Sequence, residues 1–378
     1  MMSVRSIAAG HMLGLFAVTL LLRPVLVSAQ SLDIPSATCG ISFGNSRAFT
    51  GLRFNYRDHA VRYVHGINVT LWKPDSTNNK AEIRGLSLGM LPGGGTLAGL
   101  QVGVLGIAAD RRVSGLSFGL IGVGGGDDVR GISFGGLGIG AGESLSGIQI
   151  AGFGVGAGEE LTGLTVAGLG AGAGGSVTGV NIAGIGFGAG GQLRGITLAG
   201  FGTGAGGDVT GVQIAGMGLG AGGRLSGISI GGFGVGAGGT ITGITLGGLG
   251  VGAGESICGL TFGGLGVGAG NELCGITLAG LGAGSPTVKG LTLAGITIYG
   301  KELKGIQIAL GTVRVRKGGR MSLFSASAFN YIEGTQTGLS IGLVNFARNL
   351  RGMQLGVINI VHDNPRYLRV LPLFNAGF

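Results

Sequence analysis

Enzyme chemistry needs polar side chains that converge, above all histidine, cysteine, carboxylates and lysine. This 378-residue sequence has few of them in promising company. His59 and His65 stand near Asp58 and Tyr63, residue types that could hold a metal or move a proton. No third partner follows at ligand spacing, so the pair reads more simply as surface or core. His362-Asp363, near the C-terminus, is isolated in the same way. Residues 99–274 contain no His, Lys, Tyr or Trp. The acids there, such as Asp127, Glu160 and Glu255, sit among turn residues where solvation is their simplest state. Gly-x-Gly strings abound, but a dinucleotide fingerprint needs a strand, that turn and then a helix, and no helical pattern follows any of them. Gly206-Gly207-Asp208 occurs in one unit only, whereas a calcium-binding roll repeats its Asp in every coil. No catalytic, cofactor-binding or metal residue is assigned, no cofactor is expected, and the chain reads as a non-enzyme.

The three cysteines are Cys39, Cys258 and Cys274. The last two are sixteen residues apart and occupy the same place in adjacent units. If the units stack in parallel, their Cα atoms lie about 4.8 Å apart, inside the disulfide window of roughly 4.4–6.8 Å. In an antiparallel meander the same place falls at opposite ends of neighbouring strands, beyond any bridge. A Cys258–Cys274 disulfide is therefore one reading. The other is two small residues in a slot that otherwise holds Ser or Thr.

That spacing leads to the elements. From Gly99 to Cys274 the chain divides into eleven sixteen-residue units without insertion, starting at Gly99, Gly115, Gly131 and so on to Gly259. In the unit from Gly195, GITLAGFGTGAGGDVT, apolar residues stand one, three, six and fourteen places after the leading glycine. The second place is polar in every unit, as in Gln101, Ser133, Asn181 and Thr261, and the eleventh to thirteenth are turn residues. Gly totals 91, and each costs about 1 kcal/mol against Ala inside a helix, so helix is excluded. Collagen is excluded too, since Gly does not fall at every third place. With 44% hydrophobic and 11% charged residues, the composition is the reverse of a disordered chain.

The apolar spacing is two, the period of a strand, but its parity flips between places three and six. A chain that bends there can point both sets inward. The expected fold is all-β, a glycine-rich β-solenoid in which each unit is one coil. Corners are expected at the leading glycine, at places four and five and at the turn; places one, three, six, eight, ten and fourteen should face in. The alternative is an antiparallel meander or membrane β-barrel, possible as a pore. A barrel wants one steadily apolar face and aromatic girdles, and the array lacks both. Places five, seven, nine and eleven are mostly glycine, which leaves one outer face nearly bare. That face either serves close docking, self-association included, or simply permits tight curvature.

Residues 30–98 read as an N-terminal cap with degenerate repeats, with turns at Trp72-Lys73-Pro74-Asp75 and Leu91-Pro92-Gly93. Residues 275–378 read as degenerate repeats and a C-terminal cap, in which Asn330, Asn345, Asn359 and Asn375 recur as candidates for an amide stack. Residues 1–29 read as a signal peptide: Arg5, the apolar run Met12 to Leu22, and the cleavage site Val27-Ser28-Ala29. Export to the cell surface, outer membrane or periplasm is therefore expected. The basic excess lies in the tail, notably at Arg314, Arg316, Lys317 and Arg320. It would meet a cell-envelope surface or acidic polysaccharide, or would act as a solvated cap against end-to-end stacking. Nucleic acid is not an expected partner.

Gly338-Leu339-Ser340-Ile341-Gly342-Leu343-Val344-Asn345 and Gly352-Met353-Gln354-Leu355-Gly356-Val357-Ile358-Asn359 resemble the unit of the bacterial surface-repeat proteins first named from spirochaetes. Gly51-Leu52-Arg53-Phe54-Asn55, with Gly66-Ile67-Asn68-Val69, is similar to that family's opening, and Leu371 to Phe378 to its close. The array itself has Gly where the family has Asn. The resemblance implies a cell-surface or outer-membrane placement and no known chemistry. Together these readings give a non-enzymatic secreted or cell-surface repeat protein, a scaffold or interaction surface, with an outer-membrane barrel as the alternative.

Overall fold

The computed structural model describes residues 31–377; the leader read at 1–29 and the terminal Phe378 lie outside the described residues. The chain is an all-β solenoid of about 18 stacked turns, not a barrel. Its helical content among the described residues is two single 3₁₀ turns, Ser76–Asn78 and Arg366–Leu368.

Each array coil holds one long and one short strand. In the unit from Gly195 these are Leu193–Ala199 and Gly202–Ala205, and the next coil resumes at Val209–Ala215. Here the long strands pair in parallel with long strands, Leu193 opposite Val209 and Gly195 opposite Gly211. Short strands pair in parallel with short ones, Gly202 opposite Gly218. The coil is thus two facing walls joined by corners at Gly200-Phe201 and Gly206-Gly207-Asp208. Coil-to-coil hydrogen bonds continue through both corners: the Phe201 amide donates to the Ile185 carbonyl and the Gly207 amide to the Gly191 carbonyl, each at 2.8 Å. No backbone ladder is lost where the chain turns.

The interior differs from the expectation. Places eight and fourteen do face in, as Thr203 and Val209 show, and place ten holds small residues that are buried or half-buried, such as Ala221 and Ala205. Places one, three and six face out: Ile196 and Phe201 are exposed and Leu198 is partly so. Their inward neighbours are Thr197 and Ala199, at places two and four. The reason is that the leading glycine is not a corner. The strand runs through it without a break, so the alternation set by Leu193 carries on, and every second residue after it points inward. The parity flip is absorbed at the Gly200-Phe201 corner instead, with Phe201 left outside.

The leading glycines form a column, each directly over its predecessor. Gly195 has φ 109°, and a Cβ there would overlap the carbonyl oxygen of Gly179. Both the conformation and the close approach require glycine.

The flanking segments are wound as well, with coils of uneven length. Parallel pairing begins at Cys39–Phe43 and continues through Ala48–Asn55, Tyr63–Thr70 and Glu82–Gly89 into the array. Antiparallel strands close both ends. Leu32–Ser36 folds back on Cys39–Phe43, and Val370–Gly377 folds back on the long terminal strand Phe329–Val361. A reversed strand at each end interrupts the parallel pattern that would otherwise template another coil. In the tail, Asn330 donates to Asn345 at 2.7 Å and Asn345 to Asn359 at 2.8 Å, an amide stack along the axis. Asn375 stands apart from it and donates to the Leu368 carbonyl at 3.4 Å.

Candidate interaction surface

The residues singled out for chemistry do not come together. Asp58 turns inward, where it accepts from the Arg53 guanidinium at 2.8 Å and from Thr70 at 3.1 Å. Arg53 also donates to Asn68 at 2.7 Å and to Asn45 at 3.0 Å, so this buried charge pair is hydrogen-bonded on several sides. His59 points the other way, half-exposed, with Nδ1 3.3 Å from the Thr77 hydroxyl and 3.5 Å from Asp75. The partly exposed Asp75 carboxyl is held below its usual range, first by the Thr77 amide and then by the Ser76 hydroxyl. His65 packs against Tyr63, ring centroids 5.0 Å apart. His362 and Asp363 contact each other at 2.9 Å on the surface. Among the described residues, no group of three or more His, Cys, Asp or Glu is placed to hold a metal ion.

Of the turn acids, Glu160 is exposed and Glu255 accepts from the Thr240 hydroxyl at 3.0 Å. Asp127 forms a corner, its amide donating to the Arg111 carbonyl. Sequence reasoning missed its neighbour. Asp128 is buried and accepts from Ser144, from Arg112 at 2.8 and 3.0 Å, and from Arg130 at 2.9 Å. The Ser144 hydroxyl, then the two guanidinium groups, hold its carboxyl below the usual range against the opposing effect of burial. Arg53 was missed too, although its place, two after Gly51, is the one that is polar in every array unit.

Cys258 and Cys274 are joined, with Cα atoms 4.5 Å apart, while Cys39 is a free, exposed thiol. The disulfide lies fifteen places after a leading glycine, in an outward column otherwise filled by hydroxyl residues such as Thr210, Ser226 and Thr242 and by two exposed arginines, Arg130 and Arg194.

That column borders the largest feature of the surface. Places one and three of the long wall, and place six at its corner, carry only apolar residues from Leu100 to Leu281. Ile132, Ile196, Ile244 and Ile276 represent the first column, Phe118, Ile182 and Phe262 the second, and Phe153, Phe201 and Phe233 the third; all are exposed. At the N-terminal coils the wall deepens into an apolar groove lined by Phe54, Val69, Leu88, Val102 and Val104. At about 4.8 Å per coil and 3.3 Å per residue, the wall is about 50 Å long and about 15 Å wide, on the order of 800 Å². The largest apolar patch of a typical monomer is roughly 300–600 Å².

The opposite wall is bare. Its outward places, seven and nine, are glycine in every array coil except the first, where Ala108 stands at place nine. The two roles open for the glycine stripe separate here. At the corners a Cβ on Gly200 or Gly206 would overlap the carbonyl of the coil beneath, so curvature requires glycine there. At place nine a Cβ on Gly156, Gly188, Gly220 or Gly252 would meet nothing within 4 Å, so packing within the chain does not require it at those four, although at Gly172 a Cβ would overlap the Gly188 carbonyl.

The basic tail lies beside the last coils and is engaged with its neighbours. Arg316 stacks over Tyr299 at 4.5 Å, and Arg314 lies 5.6 Å from the Tyr331 ring and 3.6 Å from Glu333. Lys317, Arg348 and Arg351 line a small polar groove with Asp363. No helix among the described residues is long and apolar enough to cross a membrane.

No family model, curated protein or solved structure matches this chain.

Proposed function

We propose that the protein is a non-enzymatic structural and interaction module that works outside the cytoplasm and engages its partner through the apolar wall. One observation carries the reading: three uncharged apolar columns repeat along the array, while the titratable residues are dispersed or locked in pairs. Leaving some 800 Å² of aliphatic and aromatic surface in water is unfavourable by about 25 cal/mol per Å², so the surface has a use. The leader-like segment 1–29 supports export, and the likeness of Gly338–Asn345 and Gly352–Asn359 to surface-repeat units supports a cell-surface placement. A membrane-embedded pore is set aside, because the chain forms a solenoid with a packed interior rather than a barrel.

The test is to express the full chain with its leader, determine the N-terminus of the exported form, and compare it with Ile196→Lys/Phe233→Lys. The reading predicts a mature chain beginning at Gln30. It further predicts that the wild type sediments as a complex larger than a single chain and that the variant is released from it. A chain retained unprocessed in the cytoplasm, or a variant that sediments like the wild type, would overturn it.

A further inference from the structure

We infer that the partner of the apolar wall is a second copy of this chain, laid wall to wall and antiparallel. The inference rests on the reading that this wall is the docking surface, and it names the occupant.

Three observations select a second copy. The first is period. Places one, three and six recur in every coil from Leu100 to Leu281 with no insertion, so the wall is a grid of ridges about 4.8 Å apart along its length. A partner that interdigitates along the whole grid must carry the same spacing over the same distance, and a second array does so by construction. The second is area. Two such walls face to face bury on the order of 1,600 Å², the size of a standard stable interface. Because the contact is isologous, it closes at the dimer and does not propagate.

The third is charge. The three columns carry no charged residue, so pairing across them desolvates no ion of their own, and the nearest cations, Arg130 and Arg194, stand exposed in the bordering column. The flanks set the direction. Residues 99–274 carry five basic and nine acidic residues, and residues 275–378 carry eleven and three. A parallel dimer would place the two basic tails side by side, whereas the antiparallel one sets them at opposite ends. A lipid surface would accept apolar columns as well, but it has no need of the period.

Sedimentation equilibrium of the purified full-length mature chain tests this, with two variants beside it. The wild type is expected to be a dimer at micromolar concentration. Ile196→Lys/Phe233→Lys is expected to weaken the dimer at least about 30-fold, the effect of losing one strong hot spot. Gly220→Lys, on the bare opposite wall where a Cβ meets open space, is expected to leave it unchanged. Should the lysine variant fail to fold, thiol labelling of Ile196→Cys in a Cys39→Ser background replaces it: the rate is expected to fall as protein concentration rises through the dimer range. A monomeric wild type, a lysine variant that stays dimeric, or labelling independent of concentration would overturn the inference. A monomer that still sediments with phosphatidylcholine vesicles through this wall would refute the second copy while leaving the wall as docking surface.

Discussion

Leu323 lies directly beneath Gly338 in the column of leading residues, and it is the one non-glycine in that column from Gly40 to Gly352. Its φ is 89°, a conformation that a side chain adopts only at a cost of about 1–3 kcal/mol. The side chain is 62% exposed, so little packing holds it there.

Leu323→Gly is therefore expected to stabilise the C-terminal coils by about 1 kcal/mol, part of the relief being offset by glycine's greater freedom when unfolded. The converse change, Gly195→Ala, sets a Cβ against the Gly179 carbonyl and is expected to lower the urea midpoint clearly. Midpoints followed by circular dichroism check both. A Leu323→Gly midpoint below that of the wild type would contradict this view of the column.

Thr197 is fully buried, and its hydroxyl finds no partner among the protein groups around it. It belongs to an inward polar column that runs from Ser42 through Arg53 and Gln101 to Gln354. Thr197→Val removes a buried, unpartnered hydroxyl whose desolvation costs about 1–3 kcal/mol, so it is expected to raise the denaturation midpoint or leave it unchanged. A loss of more than about 1 kcal/mol, the worth of one made hydrogen bond, would show that the hydroxyl is satisfied in solution.

This column marks the limit of what was legible in the sequence. The sixteen-residue period, the in-register stacking and the parallel winding followed from Gly99, Gly115 and their successors, and from the matched cysteines. Which face was inside did not follow. Ile196 and Leu198 suggested the core and Thr197 the surface, since apolar residues usually bury. The assignment inverts because φ at Gly195 lets the strand pass straight through, a backbone property that the letter Gly permits but does not announce. The surface was illegible for the same reason: once Ile196, Leu198 and Phe201 had been assigned to the interior, no apolar wall was left to notice. Arg53 and Asp128 were hidden differently. Each reads as an ordinary surface charge until the winding brings its partners, Asp58 and Asn68 or Arg112 and Ser144, to its side.

Asp128 gives the fold an acid-sensitive point. Its carboxyl is held below the ordinary value, by Ser144 foremost and then by Arg112 and Arg130. The unfolded chain therefore binds that proton more readily than the folded one. Its stabilising contribution is complete above the unfolded value of about 4 and is lost as pH falls through the lower folded value. Asp128→Asn is expected to flatten this part of the stability profile below about pH 4. Thermal midpoints across that range measure it, and a variant with the wild-type acid slope would assign the sensitivity elsewhere.

Every inward and outward assignment depends on each coil lying in register over the last, and this can be tested by cross-linking. Ser226 lies opposite Thr210 in the neighbouring coil, its hydroxyl 3.3 Å from that of Thr210, and Thr242 lies one coil further on. In a background with Cys39, Cys258 and Cys274 changed to Ser, mild oxidation should link Thr210→Cys to Ser226→Cys rapidly and within one chain. Thr210→Cys paired with Thr242→Cys should stay unlinked. The opposite outcome, no bond between Thr210→Cys and Ser226→Cys, is that of a sheet that runs up and down, in which the two positions fall at opposite ends of neighbouring strands, and neither the wall nor the interior would exist.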